Sequence, residues 1–327
     1  MTELAKRLLP LILAIAALAL FGLSLGATDV PHMWKYILHP FLEQQSSAHQ
    51  IIWQIRAPRV AAAILIGAAL GISGSMAQSS TNNPLADPAI LGTSAGASLG
   101  VLIGVVTNLV SVGSVGAVLC AAIGALAATL LTFSLARSAL QLITIGIGVS
   151  AILNAIVGIT ISAISRPEAR SISFWSFGSL ALVTPKNLFI LAPILICGGV
   201  CAWSVAPRLD LLSLGDASVR HIGFNAQRIR LTSFAILATL VAATVSTVGS
   251  IAFLALAAPH IARFIFGPRN RNLVVYSASV GAIILLVADT ASRALIPPIE
   301  LPIGLLTSLI GAPILILTLK RSGDVWR

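Results

Sequence analysis

Long stretches without a charged residue are the feature that most constrains this sequence. Stretches with no Asp, Glu, Lys or Arg cover residues 8–28, 60–86, 88–136, 138–165, 187–207, 231–262 and 301–319. Each is at least as long as the roughly 18 to 20 residues that an α-helix needs to cross a hydrocarbon core of about 30 Å. They predict a chain that crosses a membrane many times.

The composition excludes a soluble protein. Only 9% of the 327 residues are charged and 57% are hydrophobic, whereas a soluble domain carries about 25% charged residues. The stretches lack the alternation of polar and apolar residues that marks a membrane β-barrel, so helices must satisfy the backbone polar groups within lipid. The net charge of +10 comes from basic residues at the ends of apolar stretches. They indicate membrane topology, and nucleic acid is not an expected partner.

Two of the stretches are too long for one crossing. Asn108, Ser111 and Gly113 supply turn residues within 88–136, and 231–262 divides near residues 248–250. Because Lys and Arg prefer the cytoplasmic side of a membrane, the favoured arrangement has ten spans with both termini in the cytoplasm. We therefore predict an all-α polytopic membrane protein, with residues 1–327 forming a single transmembrane domain.

Small residues spaced four apart predict where helices pack closely, because lipid supplies no hydrophobic drive between helices. Two stripes meet this pattern: Gly92, Gly96, Gly100 and Gly104, and Gly67, Gly71 and Ser75. The helix that carries the second stripe is expected to be buried among its neighbours. Cys120, Cys197 and Cys201 lie within apolar stretches, which favours packing roles over a disulfide or a metal site.

The largest hydrophilic segment between spans is residues 208–230, on the predicted cytoplasmic side. It is expected to form a short helix pair in which Asp216 caps one helix and Gly223 ends it. An apolar face is left with nothing in the membrane to cover it; its residues are Leu211, Leu212, Leu214, Val219 and Ile222. An apolar face rimmed by charge predicts a docking site for another protein, or a helix lying on the lipid surface.

Motifs in this order resemble the FecCD family, the permeases of bacterial ABC importers for iron-siderophores, haem and cobalamin. Besides residues 208–230, the resemblance is carried by RAPR at 56–59, NNPLADPAILG at 82–92, PHIARFIFGP at 259–268, ADTASR at 288–293 and ELPIGLLTSLIGAP at 300–313. It implies the type II ABC importer permease fold in the bacterial inner membrane and a dimer with an identical or a paralogous permease. It also implies two ATP-binding subunits and an external solute-binding protein.

The resemblance implies that ATP and magnesium belong to the partner subunits and that this chain is not an enzyme. The sequence agrees, because it has no G-x-x-x-x-G-K-[ST] phosphate loop. The resemblance also implies that the cytoplasmic helix pair couples to the ATPase. The expected coupling residues are Leu214, Gly215, Asp216, Ala217, Val219, Arg220 and Gly223.

Three arginines match the family's docking positions for the solute-binding protein, namely Arg56, Arg59 and Arg293. Charges at a rim can steer an acidic partner. The residues also allow other roles: Arg56 and Arg59 can extend to the membrane interface, and Arg293 can pair with Asp289 four residues earlier. Both roles can coexist in Arg293.

The same resemblance implies a cytoplasmic gate and a translocation path. The expected gate residues are Asn83, Leu85, Ser138, Ala139 and Leu140. The expected path residues are Thr144, Ser150, Asn154, Thr160 and Trp175, the last of them in a segment, 171–180, that resembles a short helix closing the outer mouth.

Other functional classes are less consistent with the residues. An ion-coupled secondary transporter needs acidic residues within its spans, and Asp289 is the one acid placed deeply enough. A serine hydrolase is suggested by G-T-S-A-G at 92–96, but that glycine stripe already has a packing role. His32, His39 and His49 follow no metal-ligand spacing. The expected cargo is an iron-siderophore, with haem or cobalamin as the alternatives.

Overall fold

The all-α fold is confirmed by the structure, a computed structural model of the chain. It describes residues 3–26, 28, 30–39, 46–111, 114–136, 139–163, 177–181, 183–297 and 299–322. Within these residues the backbone forms helices and their connections, and no β-strand. The predicted path residue Trp175 and the predicted gate residue Ser138 lie outside the described residues.

The helices follow one another with short connections. The first half of the chain contains α1 (Glu3–Ser24), α2 (Met33–Leu38), α3 (Ser47–Gln50), α4 (Ala57–Thr81), α5 (Thr93–Val106), α6 (Val115–Leu135) and α7 (Ala139–Ala163). A π-helical segment, Ile51–Arg56, leads into α4, and a 3-10 turn, Pro88–Leu91, precedes α5. The second half contains α8 (Pro185–Leu212), α9 (Asp216–His221), α10 (Ala226–Val248), α11 (Leu254–Phe266), α12 (Asn270–Ala294) and α13 (Ile303–Ser322).

Helices long and apolar enough to cross a membrane account for most of the chain. Among the described residues, 7 helices meet that condition, and three shorter apolar helices accompany them at Thr93–Val106, Leu254–Phe266 and Ile303–Pro313. The chain is therefore a multi-pass membrane protein. Ten crossings stay a prediction, because Thr93–Val106 and Leu254–Phe266 are shorter than the roughly 18 to 20 residues that cross a hydrocarbon core.

Both predicted divisions of the long apolar stretches are confirmed. Between α5 and α6, Asn108 adopts a left-handed conformation and Ser114 caps α6 by accepting a hydrogen bond from the Ala117 N–H. Between α10 and α11, Gly249 and Phe253 both have positive φ angles, 76° and 63°. The chain therefore breaks within the membrane region because local backbone geometry there is incompatible with a continuing helix.

The buried helix α4 is the centre of the fold, and its small residues allow this position. It packs most extensively against α12 and also contacts α8, α10 and α11. A methyl group added at Gly67 or Gly71 would overlap the backbone of α12, and one added at Gly74 would overlap the carbonyl of Ala255 in α11. Backbone approach this close requires glycine, so the predicted role of Gly67 and Gly71 in helix packing is confirmed.

The other predicted stripe, which contains Gly96 and Gly100, joins α5 to α6. A side chain at Gly96 would meet the backbone of Gly124, and one at Gly100 would meet the carbonyl of Cys120. Cys120 is therefore part of this contact, as predicted. Cys197 and Cys201 are exposed on α8, so a packing role within the chain is wrong for these two residues.

The glycine contacts give a direct test of the helix packing. Gly71→Ala is expected to destabilise the protein by about 1 to 3 kcal/mol, because the new methyl group has to displace the backbone of α12. Gly199→Ala on α8 is the matched control: its methyl group would meet only the end of the Ile72 side chain, at 3.4 Å. Helix propensity alone makes that change neutral or favourable by up to about 1 kcal/mol.

Thermal unfolding of the two purified variants in detergent measures the difference. A lower midpoint for Gly71→Ala than for Gly199→Ala is expected. Equal midpoints would show that α4 and α12 are not packed as described.

Candidate functional site

A buried cluster of charges lies at the end of α4 that is predicted to face outside. Arg59 donates from Nε to Oδ1 of Asp289 at 2.7 Å, and from Nη1 to both carboxylate oxygens of Glu300 at 2.8 and 3.0 Å. Arg293 Nη2 lies 2.9 Å from the second oxygen of Asp289, an ion contact without hydrogen-bond alignment. The positive charges of Arg59 and Arg293 are thus neutralised by the negative charges of Asp289 and Glu300.

The neighbouring guanidinium groups hold the end of α1. Arg56 donates from Nη1 to the carbonyls of Leu23 and Ser24 at 2.9 and 3.0 Å, and Arg293 donates to the carbonyl of Leu25 at 3.0 Å. These carbonyls belong to the last turn of a helix, where no backbone partner is present and a cation is favoured. The arginines therefore attach α1 to α4 and α12.

This geometry changes the interpretation of the three predicted docking arginines. Arg56, Arg59 and Arg293 are only 4%, 4% and 5% exposed, and each makes contacts inside the chain. The predicted ion pair between Arg293 and Asp289 is confirmed. The predicted extension of Arg56 and Arg59 to the membrane interface is wrong, because both guanidinium groups point to partners within the protein.

The predicted gate loop joins the other end of α4 to α5. Asn82 ends α4 in a left-handed conformation, and Asn83 accepts a hydrogen bond from the Leu85 N–H at 2.9 Å. Asp87 caps the following 3-10 turn by accepting from the Ala89 N–H at 2.8 Å. The Leu85 side chain is 45% exposed. Local turns thus fix the loop while leaving an apolar side chain at its tip.

The gate loop reaches the helix predicted to line the path. The turn Pro88–Leu91 packs on α7, and a methyl group at Gly92 would lie 3.2 Å from Val149. Ala139 and Leu140 form the first turn of α7. The loop that follows α4 therefore contacts α7 through its 3-10 turn.

Helix α7 exposes a long face that contains both polar and apolar residues. Thr144 and Asn154 are exposed, whereas Ser150 and Thr160 are half-buried. The hydroxyl of Thr160 donates back to the carbonyl of Ile156 at 2.7 Å. Large apolar side chains share the exposed face, including Ile152 and Ile159 at 63% and 71% exposure. An exposed amide halfway along an apolar helix indicates a face covered by protein or water rather than by lipid tails.

At the outer end, the predicted mouth segment contacts the beginning of α13. Of residues 171–180 the structure describes 177–180. The carbonyls of Gly178 and Phe177 accept hydrogen bonds from the N–H groups of Ile303 and Gly304 at 3.0 and 3.1 Å. The mouth segment is therefore tied to the last helix.

The segment predicted as a cytoplasmic helix pair contains one short helix, α9, between the ends of α8 and α10, so the expectation of a pair is wrong. Gly215 and Gly223 flank α9, both with φ of 84°, so the expectation that Gly223 ends the helix is confirmed. The prediction that Asp216 is the N-cap is wrong, since it is the first residue of the helix. Its carboxylate instead accepts two hydrogen bonds from Arg230 at 2.8 and 2.7 Å. These bonds hold the pKa of the Asp216 carboxyl below its usual value.

The apolar face of this segment is smaller than predicted. Leu212 and Val219 are fully buried against the helices, and Leu211 is half-buried, so their assignment to an uncovered face is wrong. Leu214 and Ile222 are exposed as predicted, at 56% and 50%. Phe224, which the sequence pattern did not single out, joins them at 46% exposure. Ala217 and Arg220 are also exposed.

A polar network that sequence analysis missed surrounds the inner end of α4. The Ser79 hydroxyl donates to the side-chain oxygen of Asn270, and Asn270 donates to Asp210 from its backbone and its side chain at 3.1 and 2.8 Å. Asn82 donates to the carbonyl of Leu212 at 3.0 Å. These partners are far apart in the chain, so no local spacing signals them. The one hint is that polar residues stand at the ends of apolar helices.

No cluster capable of holding a metal ion occurs in the part of the chain that the structure describes: no three of its His, Cys, Asp and Glu residues come together. The chemistry of the site is therefore that of charge pairs, helix ends and an exposed apolar surface. Such features serve conformational change and docking.

Comparison with known proteins identifies a family and several similar permeases. The sequence model of the FecCD transport family matches residues 13–321. The chain is 35% identical over 313 residues to the iron(3+)-hydroxamate import system permease protein FhuB of Bacillus subtilis (strain 168), covering 93% of this chain and 80% of the relative. It is 32% identical over 327 residues to the hemin transport system permease protein HmuU of Yersinia pestis, covering 96% and 95%.

A solved structure shares the whole fold. It is described as an inward-facing conformation of a metal-chelate type ABC transporter, and it aligns with a TM-score of 0.87 at 28% identity. The alignment covers 97% of this chain and 99% of that chain.

The buried charge cluster predicts a large difference between two carboxylate variants. Asp289→Asn is expected to destabilise the protein by about 3 to 5 kcal/mol, because it leaves two buried guanidinium groups without their shared anion. Glu300→Gln removes a carboxylate from the same Arg59, but its side chain is 35% exposed and water can replace it. Its expected cost is below about 1 kcal/mol.

Thermal unfolding in detergent, at matched expression, compares the two variants. Asp289→Asn should show the lower midpoint. A midpoint for Asp289→Asn at or above that of Glu300→Gln would contradict a structural role for the cluster.

Proposed function

This chain belongs to the FecCD transport family, and from that premise we propose that it is the membrane permease of an ABC importer that carries an iron chelate of the siderophore class into the cytoplasm. The observation that carries the proposal is its similarity, over nearly the whole chain, to a permease for iron(3+)-hydroxamate. Haem is the second candidate cargo, because a hemin permease is similar over an equally long alignment. Cobalamin is the third, on the family resemblance.

The permease is not the enzyme of this transporter. In the proposal, ATP with magnesium is bound and hydrolysed by two separate subunits that dock on the cytoplasmic segment 208–230. The exposed side chains of Leu214, Ile222 and Phe224 support this docking. Large apolar side chains exposed on a hydrophilic segment are typical of a protein interface.

A second permease subunit completes the path in the proposal, either a copy of this chain or a paralogue. The exposed face of α7 supports it. The exposed Asn154 amide within an apolar span needs a hydrogen-bonding partner, and a second permease subunit can supply one. The path would then run beside Thr144, Ser150, Asn154 and Thr160, and the cytoplasmic gate would lie at Asn83 and Leu85 together with the beginning of α7.

The solute-binding protein is proposed to dock at the outer rim without contacts from the three buried arginines. Arg56, Arg59 and Arg293 would hold that rim in shape, since their partners lie at the ends of α1, α4 and α12. The proposal places the protein in the bacterial inner membrane with both termini in the cytoplasm, so that segment 208–230 faces the ATPase.

Uptake by cells separates this proposal from an ion-coupled transporter. Deletion of the chain is expected to abolish the uptake of one radiolabelled iron chelate, tested with a ferric hydroxamate, ferric citrate and haemin in parallel. Uptake by wild-type cells should be blocked by vanadate and persist when an ionophore collapses the ion gradients.

Uptake that resists vanadate and stops with the ionophore would contradict the proposal. The structure weighs against that alternative, because the carboxylate of Asp289 is already engaged by two arginines. The two neighbouring guanidinium groups make this acid an unfavourable site for a driving cation.

The docking surface predicts an uncoupled variant at Ala217. Ala217→Arg places a long cation on the exposed side of α9, so it should lower uptake by about tenfold or more through loss of ATPase docking. Ala217→Ser is the control and should transport normally. Val219 is unsuitable for this test because its side chain is fully buried, and substitution there would disturb folding.

Copurification of the ATPase subunit and membrane abundance of the permease are measured beside uptake. The expected pattern is normal abundance with reduced copurification for Ala217→Arg. Normal uptake by this variant at normal abundance would remove α9 from the coupling interface.

A further inference from the structure

We propose that Arg230 is a positioning residue that transmits movement of the cytoplasmic helix α9 to the gate loop, residues 82–91. The inference rests on the proposed function, because it assigns α9 to ATPase docking and the loop to the gate. It adds a residue outside both elements, at the beginning of α10, which physically joins them.

The Arg230 guanidinium contacts two elements at the same time. Its two terminal nitrogens donate to the two carboxylate oxygens of Asp216 at 2.8 and 2.7 Å, in a bidentate pair with α9. Its Nε donates to the backbone carbonyl of Ser80 at 3.1 Å, in the last turn of α4. One rigid planar group thus fixes the distance between the docking helix and the end of α4.

The contact with Ser80 acts directly on the gate loop. The Ser80 carbonyl is among the last four of α4, which have no partner within the helix, so a cation there also favours the helix end. The helix ends at Thr81, and Asn82 begins the loop in a left-handed conformation. Displacement of Arg230 would therefore move the backbone two residues before the loop starts.

A second hydrogen bond attaches the segment just before α9 to the end of α4. Asn82 donates from its side chain to the carbonyl of Leu212 at 3.0 Å, at the end of α8. Both ends of the segment 212–216 are thus attached to the end of α4: Leu212 by Asn82, and Asp216 through Arg230. The gate loop in turn contacts α7 through the turn Pro88–Leu91, so the contacts are continuous from α9 to α7.

The Arg230 contacts add little to the stability of the fold, but their geometry suits the transmission of movement from α9 to α4. The side chains of Arg230 and Asp216 are 22% and 52% exposed, and ion pairs this accessible contribute little to folding. The geometry nevertheless uses three donor groups of one guanidinium. A lysine keeps the charge but ends in a single nitrogen, so it cannot make the bidentate contact with Asp216 and reach Ser80 together.

The test compares transport with ATP hydrolysis in proteoliposomes that contain the complete transporter and its binding protein. Arg230→Gln and Arg230→Lys should both lower the amount of ferric hydroxamate, or of whichever chelate the uptake test identifies, that is transported per ATP hydrolysed. The expected loss is about two- to thirtyfold, with ATPase copurification unchanged. Arg269→Gln is the matched control, because Arg269 is an exposed arginine outside segment 208–230 and the gate loop, and this variant should keep the wild-type ratio.

A second readout follows the gate itself. In a background without the native cysteines, Leu85→Cys reports the gate loop through its labelling rate with a membrane-impermeant maleimide on inside-out vesicles. The rate should change when ATP is added to the wild-type transporter and should not change in Arg230→Gln. A purely structural role for Arg230 would alter the rate with and without ATP alike.

The remaining variants make the outcome decisive. Asp216→Asn, at an exposed position that should not affect folding, is expected to lower the ratio as Arg230→Gln does, and the double variant should be no worse than either single one. An unchanged ratio of chelate transported to ATP hydrolysed in Arg230→Gln would overturn the inference. If Arg230→Gln does not assemble, the same result in Asp216→Asn would overturn it. That result would leave the proposed function intact, whereas a wild-type complex that transports no chelate would overturn the proposed function.

Discussion

The structure depends on how closely the backbone of α4 approaches its neighbours. In lipid, helices gain nothing from burying apolar surface against each other, so association relies on close contact and on polar groups that would otherwise lack partners. Gly67, Gly71 and Gly74 remove the side chains that would keep α12 and α11 at a distance. The other helices then assemble around this contact, which is why α4 is buried although its composition differs little from that of exposed spans.

Helix α4 also joins the two polar regions of the molecule. Its outer end carries Arg59, whose partners on α12 and in the following loop neutralise it. Its inner end has uncharged polar residues, Ser79 to Asn82, which receive or donate hydrogen bonds to α8, α10 and α12. The charges of the outer region are mostly buried and paired as ions, so this region resists rearrangement. The inner region includes Asn82 and Arg230, whose contacts are accessible enough for water to replace them at little cost, which suits the movement proposed for the gate loop.

Much of the architecture could be predicted from the sequence because it follows from solvation and local geometry. The absence of charge fixes the helical class, glycine and asparagine mark the breaks near residues 108 and 249, and glycine spacing identifies the tightest contacts. The positions of charged side chains could not be predicted in this way. Arg59 and Asp289 lie 230 residues apart, so their pairing depends on the packing of α4 against α12. Val219 was wrongly expected at an uncovered surface. Helix α9 is too short for its sequence pattern to show which side packs against the rest of the protein.

The three outer arginines show how burial decides between two roles that a motif alone leaves open. A guanidinium at a membrane rim can bind an external acid only if its internal partners release it, and each release would leave a carboxylate or a set of helix-end carbonyls without a donor. The cost is greatest for Arg59, which holds Asp289 and Glu300 together. An external partner could therefore not recruit Arg59 without disturbing the ion cluster that joins α4 to α12.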